Sequence, residues 1–532
     1  MRTRLTIILT MLSILQSLHA QEIADTISVS EQITECDIPA DSVRFVKTCC
    51  PTYAIVRVRR NFYFVEASAS LSSGESTPFW LVNNRQGLSS LKKSNGYLRG
   101  GIIKQADYDK RFDWEAGIDV AVPYRYTSHF VIQQLYGGIR YRSLNLRIGS
   151  KLWTNGVVDP YLSSGDMLLS QNTRPIPQVM LEMPKYEYVP FTKDWLAVRG
   201  YFSMGLYTDW RWERDRAGAE GSWIKNRMLH TKGLFLRGFN PDRSPITVEG
   251  GLEMAAQWGG TYHGVNRYTH EPEVVHLPHG IKDMMNVIIC RSGGDASDPG
   301  QMGEITNVYG NHVGQWSLAV NWNPKNLDWK LRAYYEHFFD DHSMMFFDHA
   351  WKDMLLGVQA EFPKNPVVSK FVYEYLITKD QSGSVYWDQT PEIPSQVSGM
   401  DDYYSHTLYT GWQTWGMGQG NPLLISPIYN TPGLWNSYEF MNNRIKGHHF
   451  GFEGSPTTEL NYRVLLTFTR SWGSYIYPAP SIRHNFNGLL EINYHPNRLP
   501  GWNARLGLAV DAGKLLGKSF GAMLTISKSG WL

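Results

Sequence analysis

The feature of this sequence that most constrains its fold is an alternation of polar and apolar residues with a period of two. In a β-strand, successive side chains point to opposite faces, so such a run has one polar and one apolar face. The clearest run is residues 113–122, where Trp114, Ala116, Ile118, Val120 and Val122 oppose Asp113, Glu115, Gly117, Asp119 and Ala121. About 18 such runs, separated by turn-rich stretches, follow one another from residue 62 to the C-terminus.

A soluble β-sandwich also alternates, but three features favour a transmembrane barrel. The runs are about 10 to 12 residues long, which suits a tilted membrane crossing. Their polar faces carry charges and glycine, and their apolar faces have aromatic residues near the ends, the pattern of an aromatic girdle to which we expect most of the 19 Trp to belong. The last run, residues 519–526, resembles the C-terminal signal read by outer-membrane insertion machinery.

We therefore predict an all-β fold, a transmembrane outer-membrane antiparallel β-barrel of about 18 strands with long loops, monomeric and surrounded by outer-membrane lipid. After the N-terminus, no apolar stretch reaches the roughly 20 residues that a membrane-spanning helix needs. The near balance of 51 Lys plus Arg against 49 Asp plus Glu argues against a nucleic-acid partner. It does not argue against an acidic glycan, because basic and acidic strands cancel in the total.

The N-terminus has the features of an export signal. Two arginines precede an apolar run over residues 5–15, and Ala20 lies at the expected cleavage point. The predicted divisions are a signal peptide over 1–20 cleaved after Ala20, a periplasmic N-terminal extension over 21–61, and the barrel over 62–532. We thus expect the protein in the outer membrane of the cell.

The four cysteines follow no metal-binding spacing. They are Cys36, Cys49, Cys50 and Cys290. A disulfide from Cys36 to Cys49 or Cys50 is possible in an oxidising compartment.

Two connections between runs are long, over residues 259–313 and 380–444. Outer-membrane barrels have long extracellular loops and short periplasmic turns. We expect these two connections to be extracellular or folded into the lumen.

Four short blocks, collinear along the chain, carry a resemblance to a known family. They are residues 74–81 (GESTPFWL) with 83–87 (NNRQG), 162–167 (LSSGDM) with 171–178 (QNTRPIPQ), 402–404 (DYY) through 420–423 (GNPL), and 442–449 (NNRIKGHH). Together with the terminal strand they resemble the Wzi-type capsule assembly proteins, in the form found in Bacteroides-like bacteria, over about residues 62–532.

The resemblance implies a barrel of about 18 strands, occluded by loops and periplasmic helices, that binds or anchors capsular polysaccharide at the cell surface during capsule assembly. Such proteins are described as lectin-like rather than catalytic. We accordingly expect a non-enzymatic protein with no cofactor and no metal.

A polysaccharide binder needs aromatic faces for the CH surfaces of sugars, and Arg or Lys where the glycan carries carboxylates. One candidate set lies on and just after a basic strand pair: Arg140, Arg142, Arg147, Lys151 and Trp153. Structural pairing with lumen glutamates is the alternative for these charges. Trp412 and Trp415, in the second long connection, are candidate sugar platforms. Trp80, Arg85 and Arg174 are expected to pack a loop or short helix into the barrel wall.

Two other functions compete with polysaccharide binding. A diffusion porin is the main alternative. A hydrolase would use Ser405 and His406 near Asp401 and Asp402, although no nucleophile-elbow motif supports it. A plugged, energised transporter is disfavoured, because about forty residues before the first strand are too few for a plug domain.

Two histidine-containing clusters have residue types that could bind a metal ion. The first consists of His337, Asp340, Asp341, His342, Asp348 and His349, which lack a fixed helical spacing and lie among phenylalanines typical of a membrane interface. In the second, the adjacent His448 and His449 would point to opposite faces of a strand and so would not readily share one ion.

Overall fold

A computed structural model describes residues 61–532 except 220, 266–270, 292–309, 341–351, 382–385, 388–396, 399–400, 407 and 435. The predicted signal peptide with its cleavage after Ala20, the extension up to residue 60, and Cys36, Cys49 and Cys50 lie outside the described residues. So do Asp341, His342, Asp348 and His349 of the first histidine cluster.

Eighteen strands form one sheet, in the number that the alternation predicts. They are β1 Asn61–Gly74, β2 Ser94–Lys104, β3 Phe112–Tyr124, β4 Val131–Tyr141, β5 Leu144–Ser150, β6 Gln178–Tyr188, β7 Leu196–Leu206, β8 Met228–Gly238, β9 Ile246–Trp258, β10 Asn311–Trp322, β11 Lys330–Phe339, β12 Met354–Glu361, β13 Lys370–Ile377, β14 Ile445–Gly454, β15 Leu460–Gly473, β16 Pro478–Tyr494, β17 Trp502–Gly513 and β18 Lys518–Trp531.

The sheet closes on itself into an antiparallel barrel. Each strand pairs with the next along the chain, and β1 pairs both with β2 and with β18, in a register that runs from Phe62 opposite Trp531 to Gly74 opposite Ser519. Closure gives every strand edge a hydrogen-bonding partner, as a sheet surrounded by lipid requires. The all-β barrel prediction is confirmed.

The two faces of the strands follow the predicted alternation. In β3, Ile118 and Val122 point outward with 49% and 58% of their surface exposed, whereas Asp119 and Ala121 point into the barrel and are 0% and 1% exposed. An outer face of this kind is apolar enough for lipid, and the inner face is polar.

The two ends of the barrel differ in their connections. At the turn end, where β2 leads into β3, the strands are joined by short turns such as the pair Arg142 and Ser143 between β4 and β5. At the loop end, where β1 leads into β2, long segments join β5 to β6, β9 to β10 and β13 to β14. In outer-membrane barrels the loop end is the extracellular one.

An aromatic girdle surrounds the turn end, but it holds fewer tryptophans than we expected. Its tryptophans include Trp114, Trp195, Trp322, Trp329, Trp502 and Trp531. A comparable number lie instead in the loop-end segments, and these are Trp80, Trp153, Trp210, Trp212, Trp223, Trp412 and Trp415. The expectation that most belong to girdles was wrong, because large rings are also needed to fill the lumen.

Short helices and short strands lie at the loop end. The helices are α1 Phe79–Val82, α2 Trp210–Ala217 and α3 Ile281–Ile288, and a 3₁₀ turn covers Pro427–Tyr429. A three-stranded sheet consists of Trp223–Lys225, Gly260–Val265 and Pro272–Leu277, and two-residue strand pairs join Tyr386–Trp387 to Val397–Ser398 and Gln413–Thr414 to Met417–Gly418. Among the described residues, no helix is long and apolar enough to cross a membrane.

A glycine lets the chain leave β1 and enter the lumen. Gly74 has a φ of +95°, and a Cβ there would lie 2.0 Å from the carbonyl oxygen of Lys518 on the neighbouring strand. Only glycine fits both the left-handed backbone and this close approach. The first block of the family resemblance therefore begins at a turn into the barrel.

Candidate functional site

Three loop-end segments fold into the barrel and pack against one another. We call the described residues of 75–93, 151–177 and 401–444 the plug. Its buried side chains join those of the inner wall in one apolar cluster, which includes Phe79, Trp80, Leu162, Met167, Leu168, Tyr403, Tyr404, Trp412, Leu424 and Phe440 from the plug and Phe235, Tyr334, Leu465 and Leu489 from the wall. The expectation that the connection over 380–444 folds into the lumen holds for its described residues after 400.

The middle segment of the plug reaches through the lumen to the turn end. Asp159 forms an ion pair at 2.7 Å with Lys370, the first residue of β13. The carbonyl oxygen of Tyr161 accepts a hydrogen bond at 2.7 Å from Arg463, near the start of β15. The described plug thus fills the lumen over most of its depth.

Carboxylates on three wall strands hold this middle segment by its backbone. Glu374 on β13 accepts a hydrogen bond at 2.7 Å from the amide of Ser164, and Glu336 on β11 accepts one at 3.0 Å from the amide of Met167. Glu253 on β9 accepts one at 2.8 Å from the side chain of Asn155. Two of these three wall carboxyl groups therefore bind residues 162–167 of the second block.

The first block is held in the same way. The amide of Phe79, which begins α1, donates to Asp511 on β17 at 2.8 Å, and the indole N–H of Trp80 donates to Thr467 on β15 at 3.2 Å. Arg85 forms an ion pair at 2.9 Å with Glu491 on β16. Trp80 and Arg85 pack a short helix into the wall, as expected from the sequence.

The third plug segment covers the other two. Trp412 is 0% exposed and donates its indole N–H to the carbonyl oxygen of Leu168 at 2.8 Å. The hydroxyl of Tyr404 donates to the carbonyl oxygen of Met167 and accepts a hydrogen bond from the amide of Asn421 at 3.0 Å. Trp412 is therefore a packing residue in this conformation, because both faces of its ring are covered.

The structure separates the basic candidates predicted from the sequence. Arg140 and Arg142 lie at the turn end, where the Arg140 guanidinium donates to the backbone carbonyls of Arg142, Asp107 and Lys110. These bonds hold two neighbouring turns together. Arg140 is 3% exposed, so it offers little surface to a glycan.

Farther along the same wall, acidic residues take up the remaining basic charge. Arg147 pairs with Glu182 at 3.0 Å, and Lys151 pairs with Glu115 at 2.8 Å. The indole N–H of Trp153 donates to Glu182 at 2.9 Å. These ion pairs are the structural alternative to glycan binding that the sequence left open. Lys151 and Trp153 of this set also line a cavity.

That cavity opens between the plug and the wall near the loop end. It has about 90 Å³ of space for the centres of water molecules. Its lining residues include Gln86, Lys151, Trp153, Arg174, Gln178 and Gln419. A larger cavity of about 380 Å³ lies toward the turn end, lined by Tyr161, Asn493, His495 and Arg505 among others. From the sequence, Lys151 and Trp153 were predicted as ligand contacts and Arg174 as a structural residue. The glutamine side chains that line this cavity were not predicted.

A row of stacked rings lies on the short elements of the loop end. Trp210 on α2 stacks on Trp223 with centroids 5.8 Å apart, and Trp223 stacks on His263 at 4.0 Å with an angle of 5° between the rings. We call these three partly exposed residues the aromatic ledge. Exposed cations surround its first ring, namely Arg211 at 5.1 Å, Lys225 at 5.4 Å and Arg214 at 5.9 Å from the centroid of Trp210.

The aromatic ledge was missed at the level of sequence. A usable pattern was present, since residues 210–216 read WRWERDR, with two Trp and three Arg in seven positions. Its partner rings, Trp223 and His263, come from separate strands of the small sheet and could be joined to it only by the fold. Trp415 lies apart from the ledge, where its ring packs under the guanidinium of Arg174 at 4.5 Å.

A buried ion cluster fixes the helix that carries Trp210. Arg227, just before β8, lies 3.1 Å from Glu213 and 3.6 Å from Asp209. Burial raises the pKa of Glu213 to about 6, although the charge of Arg227 opposes the shift. Because Asp209 directly precedes α2, Glu213 lies on α2 and the arginine precedes β8, the cluster ties the ledge to the barrel wall.

The residues that a hydrolase would use form hydrogen bonds within the plug. Nδ1 of His406 accepts hydrogen bonds at 3.1 Å from the amides of Leu408 and Tyr409. Ser405 accepts a backbone hydrogen bond at 3.1 Å, and Asp402 accepts one at 2.6 Å from a plug asparagine. Nδ1 of His406 thus accepts from two backbone donors rather than from the Ser405 hydroxyl.

Within the described part of the chain, no group of three or more His, Cys, Asp or Glu is placed to hold a metal ion. His449 is buried and its ring lies between Thr467 and the carbonyl oxygen of Leu162, at 2.8 Å from each, whereas His448 is exposed beside Tyr373. The two side chains point to opposite faces, as predicted. Cys290 is a free cysteine.

Comparisons with known proteins found similarity in structure. No protein-family model matches the sequence, and no curated protein matches it. One similar solved structure is Wzi, described as an outer-membrane protein involved in group 1 capsule assembly in Escherichia coli and as a carbohydrate-binding β-barrel. It has a TM-score of 0.53 and 12% identity over 88% of this chain and 85% of that chain.

Two Pseudomonas aeruginosa structures are also similar. OccK5 (OpdH) has a TM-score of 0.44 and 9% identity over 88% of this chain and 98% of that chain. OpdQ has a TM-score of 0.45 and 8% identity over 89% of this chain and 98% of that chain. At such identities the comparisons concern the fold alone, and the chain has the fold of an 18-stranded outer-membrane β-barrel.

Proposed function

We propose that this protein is a non-enzymatic outer-membrane protein that binds or anchors capsular polysaccharide at the cell surface during capsule assembly. The observation that carries the proposal is the aromatic ledge at the loop end, with its surrounding cations. Flat rings bind the CH faces of sugars, and exposed arginine or lysine binds their acidic groups.

Two further observations support the proposal. The four sequence blocks that resemble the Wzi-type family lie in the plug, apart from Gly74 at the end of β1, Gln178 at the start of β6 and residues 445–449 in β14. The wall binds two of the blocks directly. The similar structure, Wzi, is described as a carbohydrate-binding β-barrel. Export by a signal peptide cleaved after Ala20, insertion by the outer-membrane machinery and a monomeric state belong to the same proposal.

A porin is the alternative function, and the filled lumen argues against it. Diffusion porins leave an aqueous channel through the barrel, whereas the plug packs an apolar cluster across this one. Planar-bilayer recording of the purified protein tests the point. We expect no steady open-channel current; a large, stable conductance would favour the porin.

Deletion of the gene in the native cell tests the anchoring function. We expect capsular polymer to appear in the medium while the total amount synthesised stays unchanged. Complementation with the intact gene should restore attachment. Full retention of polymer on the deletion strain would exclude an anchoring role.

The ledge itself is tested by binding of purified capsule to the protein in detergent. We expect Trp210→Ala to weaken binding by roughly two- to tenfold, the value of one aromatic contact of about 0.5–1.5 kcal/mol. Trp195→Ala is the matched control, because Trp195 is 55% exposed at the opposite end of the barrel. The chain length of the polymer, measured after incubation, should not change if the protein is no enzyme. Equal binding by the two variants would contradict the assignment of the ledge.

A further inference from the structure

The larger of the two cavities lies at the turn end, which is the periplasmic end of outer-membrane barrels. Its volume of about 380 Å³ falls within the roughly 300–1,000 Å³ of typical small-molecule sites. It is lined by Tyr161 of the plug and by residues at the turn-end edges of β14 to β17. One lining residue, His495, is exposed, so the cavity is accessible from solvent.

Three polar side chains form a row along the wall of this cavity. Asn461 on β15 lies directly opposite Asn493 on β16, and Asn493 lies directly opposite Arg505 on β17. Directly opposed residues point to the same face of a sheet, and neighbouring strands lie about 4.8 Å apart. Two amides and a guanidinium therefore stand side by side over about 10 Å of the cavity wall.

The protein leaves much of the hydrogen-bonding capacity of this lining unused. Four of its polar side chains make no hydrogen bond or ion pair with any other described residue, and they are Glu453, Ser455, Asn461 and His495. The side chain of Arg505 is 31% exposed, and its ion pair is with Glu66 at 3.6 Å. Glu66 is shared, because it also accepts a hydrogen bond from the Tyr97 hydroxyl at 2.6 Å. These groups are free to bind a ligand.

The lining also selects the chemical class of that ligand. It mixes donors and acceptors, and its charges nearly balance, with the carboxylate of Glu453 against the partly paired guanidinium of Arg505. A polyanion would need more cations than this, and a divalent cation would need more carboxylates. Sugar hydroxyls both donate and accept hydrogen bonds, so they match a mixed and nearly neutral lining. Tyr161 adds an aromatic ring that is 36% exposed.

We infer that this cavity is a second saccharide site, which binds a neutral sugar unit through Glu453, Asn461 and Asn493, with Tyr161 beside the sugar ring. The inference goes beyond the proposed function, because anchoring at the cell surface uses the opposite end of the barrel. Since the plug fills the lumen between the two ends, the site takes a chain end or a branch of a glycan rather than a chain that passes through the barrel. A protein with both sites contacts glycan on both sides of the membrane.

Binding of the intact protein in detergent to a glycan array tests the ligand class. The array presents short neutral, acidic and amino-sugar oligosaccharides. We expect the Trp210→Ala variant, in which the aromatic ledge is weakened, to retain binding to neutral oligosaccharides. If Trp210→Ala binds only acidic or amino sugars, or binds no glycan, the inference is overturned.

The variant Asn461→Leu locates the site. Because the Asn461 side chain bonds to no other described residue, its replacement removes ligand contacts and leaves the hydrogen bonds of the protein in place. We expect the affinity for the neutral oligosaccharide that binds most tightly on the array to fall roughly three- to tenfold, as loss of one or two hydrogen bonds does. Asn326→Leu is the matched control, because Asn326 is an exposed asparagine in the turn between β10 and β11. Equal affinities in these two variants would overturn the site.

A second variant covers the case in which Asn461→Leu does not fold. Glu453→Gln keeps the shape of the side chain and removes its charge, so it should weaken binding of the same oligosaccharide severalfold, because hydrogen bonds to a carboxylate are stronger than those to an amide. An unchanged affinity in Glu453→Gln would then overturn the inference. Failure of the proposed function would be seen separately, as full capsule retention by the deletion strain, whatever the purified protein binds.

Discussion

Removing the Glu374 carboxylate should loosen the second plug segment while leaving the barrel intact. Glu374 is 1% exposed and accepts three hydrogen bonds from its lumen side, from the Ser163 hydroxyl at 2.7 Å, the Ser164 amide at 2.7 Å and the Tyr334 hydroxyl at 2.5 Å. The wall around it is held by backbone pairing of β12, β13 and β14, to which this side chain contributes nothing. The perturbation is therefore local to the second block.

The magnitude follows from the bonds lost. Glu374→Gln keeps one oxygen for the Ser164 amide and turns the other into a donor, which the two hydroxyls can accept. The loss of charge should cost about 1–2 kcal/mol of local stability. Glu374→Ala leaves the Ser164 amide buried without an acceptor and removes all three bonds, so about 2–4 kcal/mol is expected after the gain from no longer burying the carboxylate.

Hydrogen exchange read by mass spectrometry measures this local free energy in detergent micelles. At about 1.4 kcal/mol per factor of ten, peptides covering residues 160–170 should exchange roughly 5- to 30-fold faster in Glu374→Gln and 30- to 700-fold faster in Glu374→Ala. Peptides from β15 should be unaffected. Asp113→Asn is the matched control, because Asp113 is a wall carboxylate that accepts a backbone amide at 2.7 Å outside the plug. Exchange of 160–170 within twofold of wild type in Glu374→Ala would refute the role of this carboxylate.

The remaining predictions concern the third plug segment. Burial lowers the pKa of His406 to about 4 from an ordinary value near 6.5. Between these two pH values the unfolded chain binds more protons than the folded chain does. The segment therefore loses stability as the pH falls from about 6.5 to 4. The loss of stability should reach roughly 2–3 kcal/mol and appear as faster hydrogen exchange around His406. The variant His406→Asn should abolish this pH dependence, because its side-chain oxygen can accept hydrogen bonds from the same amides. A pH dependence that persists in His406→Asn would show that another group causes it. Trp412→Ala should destabilise the plug by about 3–5 kcal/mol, because it removes a fully buried ring. Trp415→Ala should destabilise the plug clearly less, because Trp415 is partly exposed. The resistance of the plug to protease compares the two variants, and equal sensitivity would contradict the packing described.

The strand number and the two faces of each strand were predictable because alternation is a local property. The direction of a side chain in a strand depends only on whether its position is odd or even, so Asp119 and Ile118 could be assigned to opposite faces from the sequence. The turn end was predictable for the same reason, since short polar turns separate the runs there. Each of these features needs only neighbouring residues.

Which charges pair, and which rings are buried, could not be read from the sequence. Arg147 and Lys151 looked equally suited to a glycan or to a glutamate, and their partners Glu182 and Glu115 lie on other strands. Trp412 looked like a sugar platform, yet it bonds to Leu168, 244 positions away. Such contacts depend on how the loops return into the lumen.

The sequence by itself thus determined the barrel and the two faces of its strands. Only the tertiary structure decided that Trp210, Trp223 and His263 stack in one row, and that Trp412 is buried against the backbone of Leu168. The physical reason is that periodicity acts within one strand, whereas burial, ion pairing and ring stacking are set by residues that are distant along the chain and meet only when the barrel closes around its loops.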